Sequence, residues 1–60
     1  MTPEQIKKHR ENLGLSQQKL ADLTFKNIRS IQRYEKGDIN PQKLWLNVFE
    51  EIIKKSKKST

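Results

Sequence analysis

The sequence has no cysteine, two glycines, two prolines and a single histidine among its 60 residues. Without cysteine, neither a disulfide framework nor a thiolate metal site can stabilise the fold. No apolar run approaches the roughly 20 residues that a membrane-spanning helix needs. The opening Met-Thr-Pro-Glu is unlike a signal peptide. We therefore expect a cytoplasmic protein that uses no metal and no cofactor.

Acidic residues are also scarce, because seven Asp and Glu face thirteen Lys and Arg, which gives a net charge of +6. This balance favours nucleic acid or an anionic membrane surface as the partner. A chain of this length buries only about 60% of its unfolded surface, so oligomerisation is the remaining way to stabilise it. The lone His9 has no clustered nucleophile, base or second metal ligand, so we expect no enzyme.

Four amphipathic stretches predict a compact all-α bundle of four helices, which could become five. The expected helices cover about residues 3–13, 17–24, 28–36 and 41–55, and residues 56–60 are expected to fray. Thr2, Ser16, Asn27 and Asn40 are the N-cap candidates, and Gly14 and Gly37 are expected to end helices. Ile39, in the connector before the last helix, is expected to enter the core.

The stretch from Leu13 to Gly37 organises the chain as two short helices joined by a tight turn. At about 100° per residue, Ile31 and Tyr34 fall on one side of the second helix. The opposite side carries Arg29, Gln32, Arg33 and Lys36. The sequence between Leu23 and Tyr34 contains no carboxylate. This side of the helix therefore favours an anionic partner.

LSQQKLA followed by IQRYEKG resembles the helix-turn-helix of the lambdoid-phage repressor/Cro (XRE) family. The resemblance covers about Ile6 to Trp45 and needs no gap before Gly37. It implies a sequence-specific regulator that binds double-stranded DNA in the cytoplasm of a bacterium or a phage-infected cell. The family usually has five helices. The chain after Pro41 offers no break before Lys54, so we expect one longer helix there.

The resemblance implies that the start of the second helix of the motif contacts base edges. It assigns base contacts to Asn27, Ile28, Arg29 and Arg33, and the chemistry of an amide adds Gln32 as an adenine reader. Ile28 has two open readings, since it could touch a thymine methyl group or pack inward. Phosphate contacts are expected from Ser16, Gln17, Lys26, Lys36, Asn40 and Lys43. Lys7, Lys8 and the tail lysines are interpreted as solvated charges.

Two further expectations follow from family positions. Arg10 and Glu35 fall on apolar helix faces, and the resemblance implies that they form a partly buried structural ion pair. At the turn, the family usually has glycine where Phe25 stands and an aliphatic residue where Lys26 stands. We expect a remodelled turn in which Phe25 enters the core and Lys26 faces the phosphates. His9 is interpreted as a surface or phosphate-facing residue.

The last helix has more apolar residues than a small four-helix core can cover. We therefore predict a homodimer that binds a palindromic operator, with Trp45, Phe49, Ile52 and Ile53 at the subunit interface. The favoured function is a small phage or mobile-element repressor, without a small-molecule ligand. A phage autoregulator and a toxin–antitoxin regulator are indistinguishable here.

Two other classes of function remain open at this point. One is a protein-interaction or antitoxin-type module that uses the last helix, with DNA binding secondary. The other is a membrane-surface binder that uses the lysine-rich end of that helix. Glu50 and Glu51 argue against the membrane binder, and so does the need of the core for the apolar face.

Overall fold

Four helices make up the regular structure of residues 1–56, which are the residues that the computed structural model describes. The helices are α1 (Pro3–Asn12), α2 (Gln17–Leu23), α3 (Ile28–Lys36) and α4 (Lys43–Ser56). The predicted all-α four-helix architecture is confirmed. Ser56, expected in the tail, belongs to α4, and the rest of the predicted tail, residues 57–60, lies outside the described residues. No helix in residues 1–56 is long and apolar enough to cross a membrane.

The first three helices begin where their cap residues predict. Thr2 and Gln5 form a reciprocal capping box, in which each side chain accepts a hydrogen bond from the backbone N–H of the other, at 3.1 and 3.0 Å. The Ser16 and Asn27 side chains each accept from the backbone N–H three residues further on, both at 3.0 Å. These bonds satisfy donors that the first turn of a helix leaves without a partner.

The connector after α3 differs from the prediction in two ways. The last helix begins at Lys43 rather than at Pro41, so the prediction that Asn40 is its N-cap was wrong. The Gln42 carbonyl accepts a backbone hydrogen bond from the Leu46 N–H at 3.1 Å. Ile39 is 42% exposed, so its predicted place in the core was wrong. The interior is filled instead by side chains of the four helices.

The core contains one side chain or more from every helix. Its buried members are Ile6, Leu20, Ala21, Ile31, Tyr34, Trp45 and Phe49. Three aromatic rings connect α3 to α4, since the Trp45 ring centroid lies 4.8 Å from that of Tyr34 and 5.1 Å from that of Phe49. His9 of α1 meets Phe49 edge-on at 6.4 Å, so this histidine packs on the core as well as reaching the surface.

The aromatic residues of α4 serve this core rather than a partner surface. Trp45 is 4% exposed and Phe49 is fully buried, so placing these two residues at a dimer interface was wrong. A small core needs the large apolar area that aromatic side chains bury. Ile53 also packs against the core and is partly buried, whereas Leu44 remains 72% exposed. Of the four residues expected at the interface, Ile52 and Ile53 are therefore the two that still reach the surface of α4.

Helices α1, α2 and α3 all end in the same pair of backbone hydrogen bonds. After α2, the Lys26 N–H bonds to the Ala21 carbonyl at 2.9 Å, and the Phe25 N–H bonds to the Asp22 carbonyl at 3.4 Å. This is the Schellman motif, whose central residue adopts a left-handed conformation and is usually glycine. Phe25 holds that position at φ +60°.

Phe25 points into solvent, with 93% of its surface exposed. The prediction that it enters the core was therefore wrong. The left-handed backbone is fixed by the helix-ending hydrogen bonds, and it turns the side chain away from the interior. Thr24 is buried instead, and its hydroxyl donates to the Leu20 carbonyl at 2.8 Å.

Candidate DNA-binding surface

The outward side of α3 carries four polar side chains, which we call the α3 outer face. Its members are Arg29, Gln32, Arg33 and Lys36, and all four are exposed. Ile31 and Tyr34 anchor the opposite side of the helix, with 0% and 5% exposure. The helical period thus separates a buried apolar side from a cationic outer face. Three positive charges and one amide point away from the core.

The residues that open α3 are partly occupied by structural roles. Asn27 is exposed, but its side-chain oxygen accepts from the Ser30 N–H at 3.0 Å. Its amide NH₂ group therefore remains as the donor that it can offer to a base. Ile28 is half-buried, so part of its side chain still reaches the surface.

A partly buried ion pair joins α1 to α3. The Arg10 Nε donates to Glu35 Oε2 at 2.7 Å, and Arg10 Nη2 donates to Glu35 Oε1 at 3.2 Å. The two side chains are 11% and 5% exposed. Arg10 Nη1 also donates to the Leu15 carbonyl at 2.8 Å. This two-pronged contact fixes α3 relative to α1 and to the segment that leads into α2.

Gln17 extends this contact toward the α3 outer face. Its Nε2 donates to Glu35 Oε1 at 3.1 Å, and its Oε1 accepts from Gln32 Nε2 at 3.4 Å. Gln17 is half-buried. Both ends of the amide that was expected to clamp a phosphate therefore already have partners within the protein.

The other residues with expected phosphate contacts lie on the surface. Ser16, Lys26, Lys36, Asn40 and Lys43 are all exposed. The Ser16 hydroxyl is engaged as the cap of α2. Lys26 borders a groove beside α4, whereas Lys36 borders a different cleft that lies beside the Glu35 ion pair. The expected phosphate contacts are thus distributed over two parts of the surface.

Lys7 lies on the same part of the surface as Lys36, although the sequence led us to interpret it as a solvated charge. It lines one cleft together with Gln17, Gln32, Glu35 and Lys36. The spacing held a usable signal, because Lys7 precedes Arg10 by three residues and therefore lies on the same side of α1. A lysine beside the residue that binds Glu35 must lie near α3.

A short capped helix, a tight turn and a second helix with an exposed cationic side are the parts of a helix-turn-helix, the motif whose second helix lies in the major groove of DNA. The family model described as helix-turn-helix matches residues 6–44. The chain belongs to the XRE-type helix-turn-helix family, whose members are DNA-binding transcription regulators. This confirms the resemblance seen in the sequence. Searches of curated proteins and of solved structures gave no match.

Proposed function

We propose that the chain is a sequence-specific repressor of phage or mobile-element type, which occupies a palindromic operator as a homodimer. The α3 outer face carries this proposal. Three exposed cations and an amide on one helix side fit the major groove, where side chains meet both base edges and phosphates. Occupying an operator requires no catalytic group, which agrees with the binding character of the family.

Within this proposal, Arg29 and Arg33 bind guanine, since a guanidinium can donate to guanine O6 and N7 together. Gln32 binds adenine through its amide. Asn27 and Ile28 lie at the end of α3 that enters the groove first in helix-turn-helix proteins. Lys7, Lys26, Lys36, Asn40 and Lys43 hold the phosphates on either side of the groove, and the N-terminal turn of α2 at Ser16 adds to them.

Selection of binding sites from random duplexes tests sequence specificity directly. Arg29→Ala and Arg33→Ala should each weaken operator binding by about 1–3 kcal/mol and weaken random-duplex binding far less. The matched control is Lys8→Ala, which removes an exposed positive charge of α1 outside the proposed contact surface. Equal losses on operator and random DNA would show that the two arginines contact only phosphates.

The proposed homodimer uses the outward stripe of α4, which we define as Leu44, Val48 and Ile52. These residues are four positions apart and so lie on one helix side. Leu44 is 72% exposed and Val48 is 38% exposed, and Ile52 is half-buried. Contiguous exposed apolar residues on a small protein indicate a contact surface for another protein.

A second feature beside the outward stripe supports a partner at this place. Phe25, Leu44, Trp45 and Val48 line one groove. Phe25 is 93% exposed and Leu44 is 72% exposed, so the groove presents two large apolar side chains to solvent. A partner that covers the groove would bury both of them.

An antiparallel two-fold contact centred on Val48 is the simplest arrangement of two copies. It would place each Leu44 against the partner's Ile52. A dimer that spaces two α3 helices about 34 Å apart would match one turn of B-DNA and require a palindromic site.

Leu44→Asp should convert the dimer to a monomer and reduce operator affinity sharply. Leu23→Asp is the matched control, since Leu23 is also exposed, at 43%, and does not line the groove. Sedimentation with and without operator measures both effects. With three or four phosphates neutralised per subunit, the slope of log affinity against log salt should be about −5 to −7. A wild type that binds one subunit per site would refute the dimer and favour a surface for a different protein.

A further inference from the structure

A chain of hydrogen bonds runs from the buried ion pair to the α3 outer face, and it has a fixed polarity. It begins at Arg10, continues through Glu35 and Gln17, and ends at Gln32. The Arg10 and Glu35 side chains are 11% and 5% exposed, whereas Gln32 is exposed. The chain therefore connects the interior of the fold to a residue that faces the DNA in the proposed function.

The chemistry of each group fixes the orientation of the next. An ionised carboxylate only accepts hydrogen bonds, so Glu35 requires a donor from Gln17. The Gln17 amide must therefore turn its Nε2 toward Glu35, where the distance is 3.1 Å. Its Oε1 then faces Gln32 and requires a donor in turn. Gln32 meets this requirement with its own Nε2 at 3.4 Å.

We propose that Gln17 is a positioning residue for Gln32. It determines the direction along the major groove in which the Gln32 amide presents its oxygen and its nitrogen. The proposal rests on the proposed function, in which Gln32 reads a base. With one N–H directed to Gln17, Gln32 keeps its carbonyl oxygen and its second N–H for the DNA. Their order along the groove is fixed by the buried carboxylate.

This order has a consequence for sequence recognition. Glutamine binds adenine by accepting from N6 and donating to N7. A side chain with a fixed acceptor-to-donor order fits this pattern in one direction along the groove. It therefore distinguishes an A·T pair from the same pair reversed. A freely rotating amide would instead adapt to both directions.

The cleft around this chain places it at the DNA side of the molecule. Lys7 and Lys36 line the cleft with Gln17, Gln32 and Glu35. Both lysines are exposed and positively charged, so the mouth of the cleft attracts phosphate. Glu35 does not repel the DNA strongly, because its charge is balanced by Arg10 at 2.7 Å.

The first test measures base preference rather than affinity alone. The affinity for the selected operator is compared with the affinity for duplexes in which each base pair is replaced in turn by the other three. We expect Gln32→Met to abolish a preference of about 5- to 150-fold for adenine at one pair. Gln17→Met should abolish the preference at that same pair, and the double variant should lose no further preference. Gln18→Met, an exposed neighbour on α2, should leave it unchanged.

Gln17→Lys separates positioning from a general structural role. A lysine at this position can still donate to Glu35 but cannot accept from Gln32, so the preference for adenine should be lost. Its added positive charge should not weaken binding to DNA in general. If Gln17→Met weakens all duplexes equally and keeps the preference, Gln17 is a phosphate contact or a scaffold residue and the proposal is wrong.

A second measurement, made on the protein without DNA, tests the hydrogen-bond chain directly. In the protein alone, Gln17→Met should shift the Nε2 proton resonances of Gln32, and Gln18→Met should leave them in place. Unshifted resonances in Gln17→Met would overturn the hydrogen-bond chain itself. A wild type that selects no sequence, with the resonance shift present, would instead refute the proposed function and confirm the chain. The two failures are thus distinguishable.

Discussion

Helices α1 and α2 end in the same hydrogen-bonded motif but place opposite kinds of residue at its left-handed position. After α1 this residue is Gly14, at φ +73°, and after α2 it is Phe25, at φ +60°. In both motifs the next residue donates its N–H to a carbonyl five residues back, at 3.1 Å for Leu15 and 2.9 Å for Lys26. The hydrogen bonds therefore determine the backbone, and the residue type determines how much strain the turn stores.

The two ends also differ in the side chain that secures them. At the end of α1, Arg10 donates to the Leu15 carbonyl at 2.8 Å and joins this segment to α3 through Glu35. At the end of α2, Thr24 bonds back within its own helix, to Leu20. The first end is thus tied across the fold, whereas the second is closed locally and presents an exposed aromatic ring. Three substitutions sharpen this comparison.

The largest effect is expected from Arg10→Met, which removes the tie across the fold. It should lower the free energy of unfolding by about 3–5 kcal/mol, because Glu35 is left buried without its cation. Replacing both residues, as Arg10→Met with Glu35→Leu, should recover much of this loss. Urea denaturation compares the wild type, the single variant and the double variant at one protein concentration. An unchanged midpoint in the single variant would contradict a stabilising pair.

Gly14→Ala should have a smaller effect at the same helix end. A Cβ atom there would meet nothing within 4 Å, so the cost comes from the left-handed backbone alone. We expect a loss of about 1–2 kcal/mol in the free energy of unfolding. Thermal unfolding should show a loss of similar size for Gly37→Ala, since Gly37 is also left-handed and a Cβ there would make only an ordinary contact with Pro3 Cγ, at 3.4 Å. A stabilised Gly14→Ala would mean that the turn relaxes to another conformation.

Phe25→Gly should have the smallest effect, and in the opposite direction. The ring is 93% exposed, so little packing is lost, while the strain of a bulky left-handed residue is relieved. After the flexibility that glycine adds to the unfolded chain, we expect a gain of about 0.5–1 kcal/mol in the monomer. In the proposed homodimer, the same change should weaken association. Sedimentation and denaturation at low concentration separate the two effects.

Two properties of phenylalanine led to the wrong prediction for Phe25. Its hydrophobicity predicted burial, and its bulk predicted a remodelled turn. The hydrogen bonds that end α2 and the buried Thr24 determine where the Phe25 side chain points, and neither can be predicted from the residue type at position 25. By contrast, the capping box at Thr2 was predictable, because both of its partners lie within three residues of each other.

The candidate site divides in the same way. The α3 outer face follows from the helical period, and its four exposed residues were identified from spacing alone. The contact between Arg10 and Glu35 spans 25 residues of sequence and was available only through the family resemblance. The Gln17–Gln32 contact was not foreseen, because it depends on how α2 and α3 cross.

In residues 1–56, the sequence by itself determined the local features: four helices, the N-caps of the first three, and a helix side free of acidic residues. These depend on neighbours a few residues apart, whose interactions the chain order fixes. The tertiary structure alone decided the direction of Phe25, the burial of Trp45 and Phe49, and the partners of Gln17. Those outcomes depend on which surfaces meet across the bundle, and volume and hydrogen-bond geometry choose among several arrangements that one sequence pattern permits.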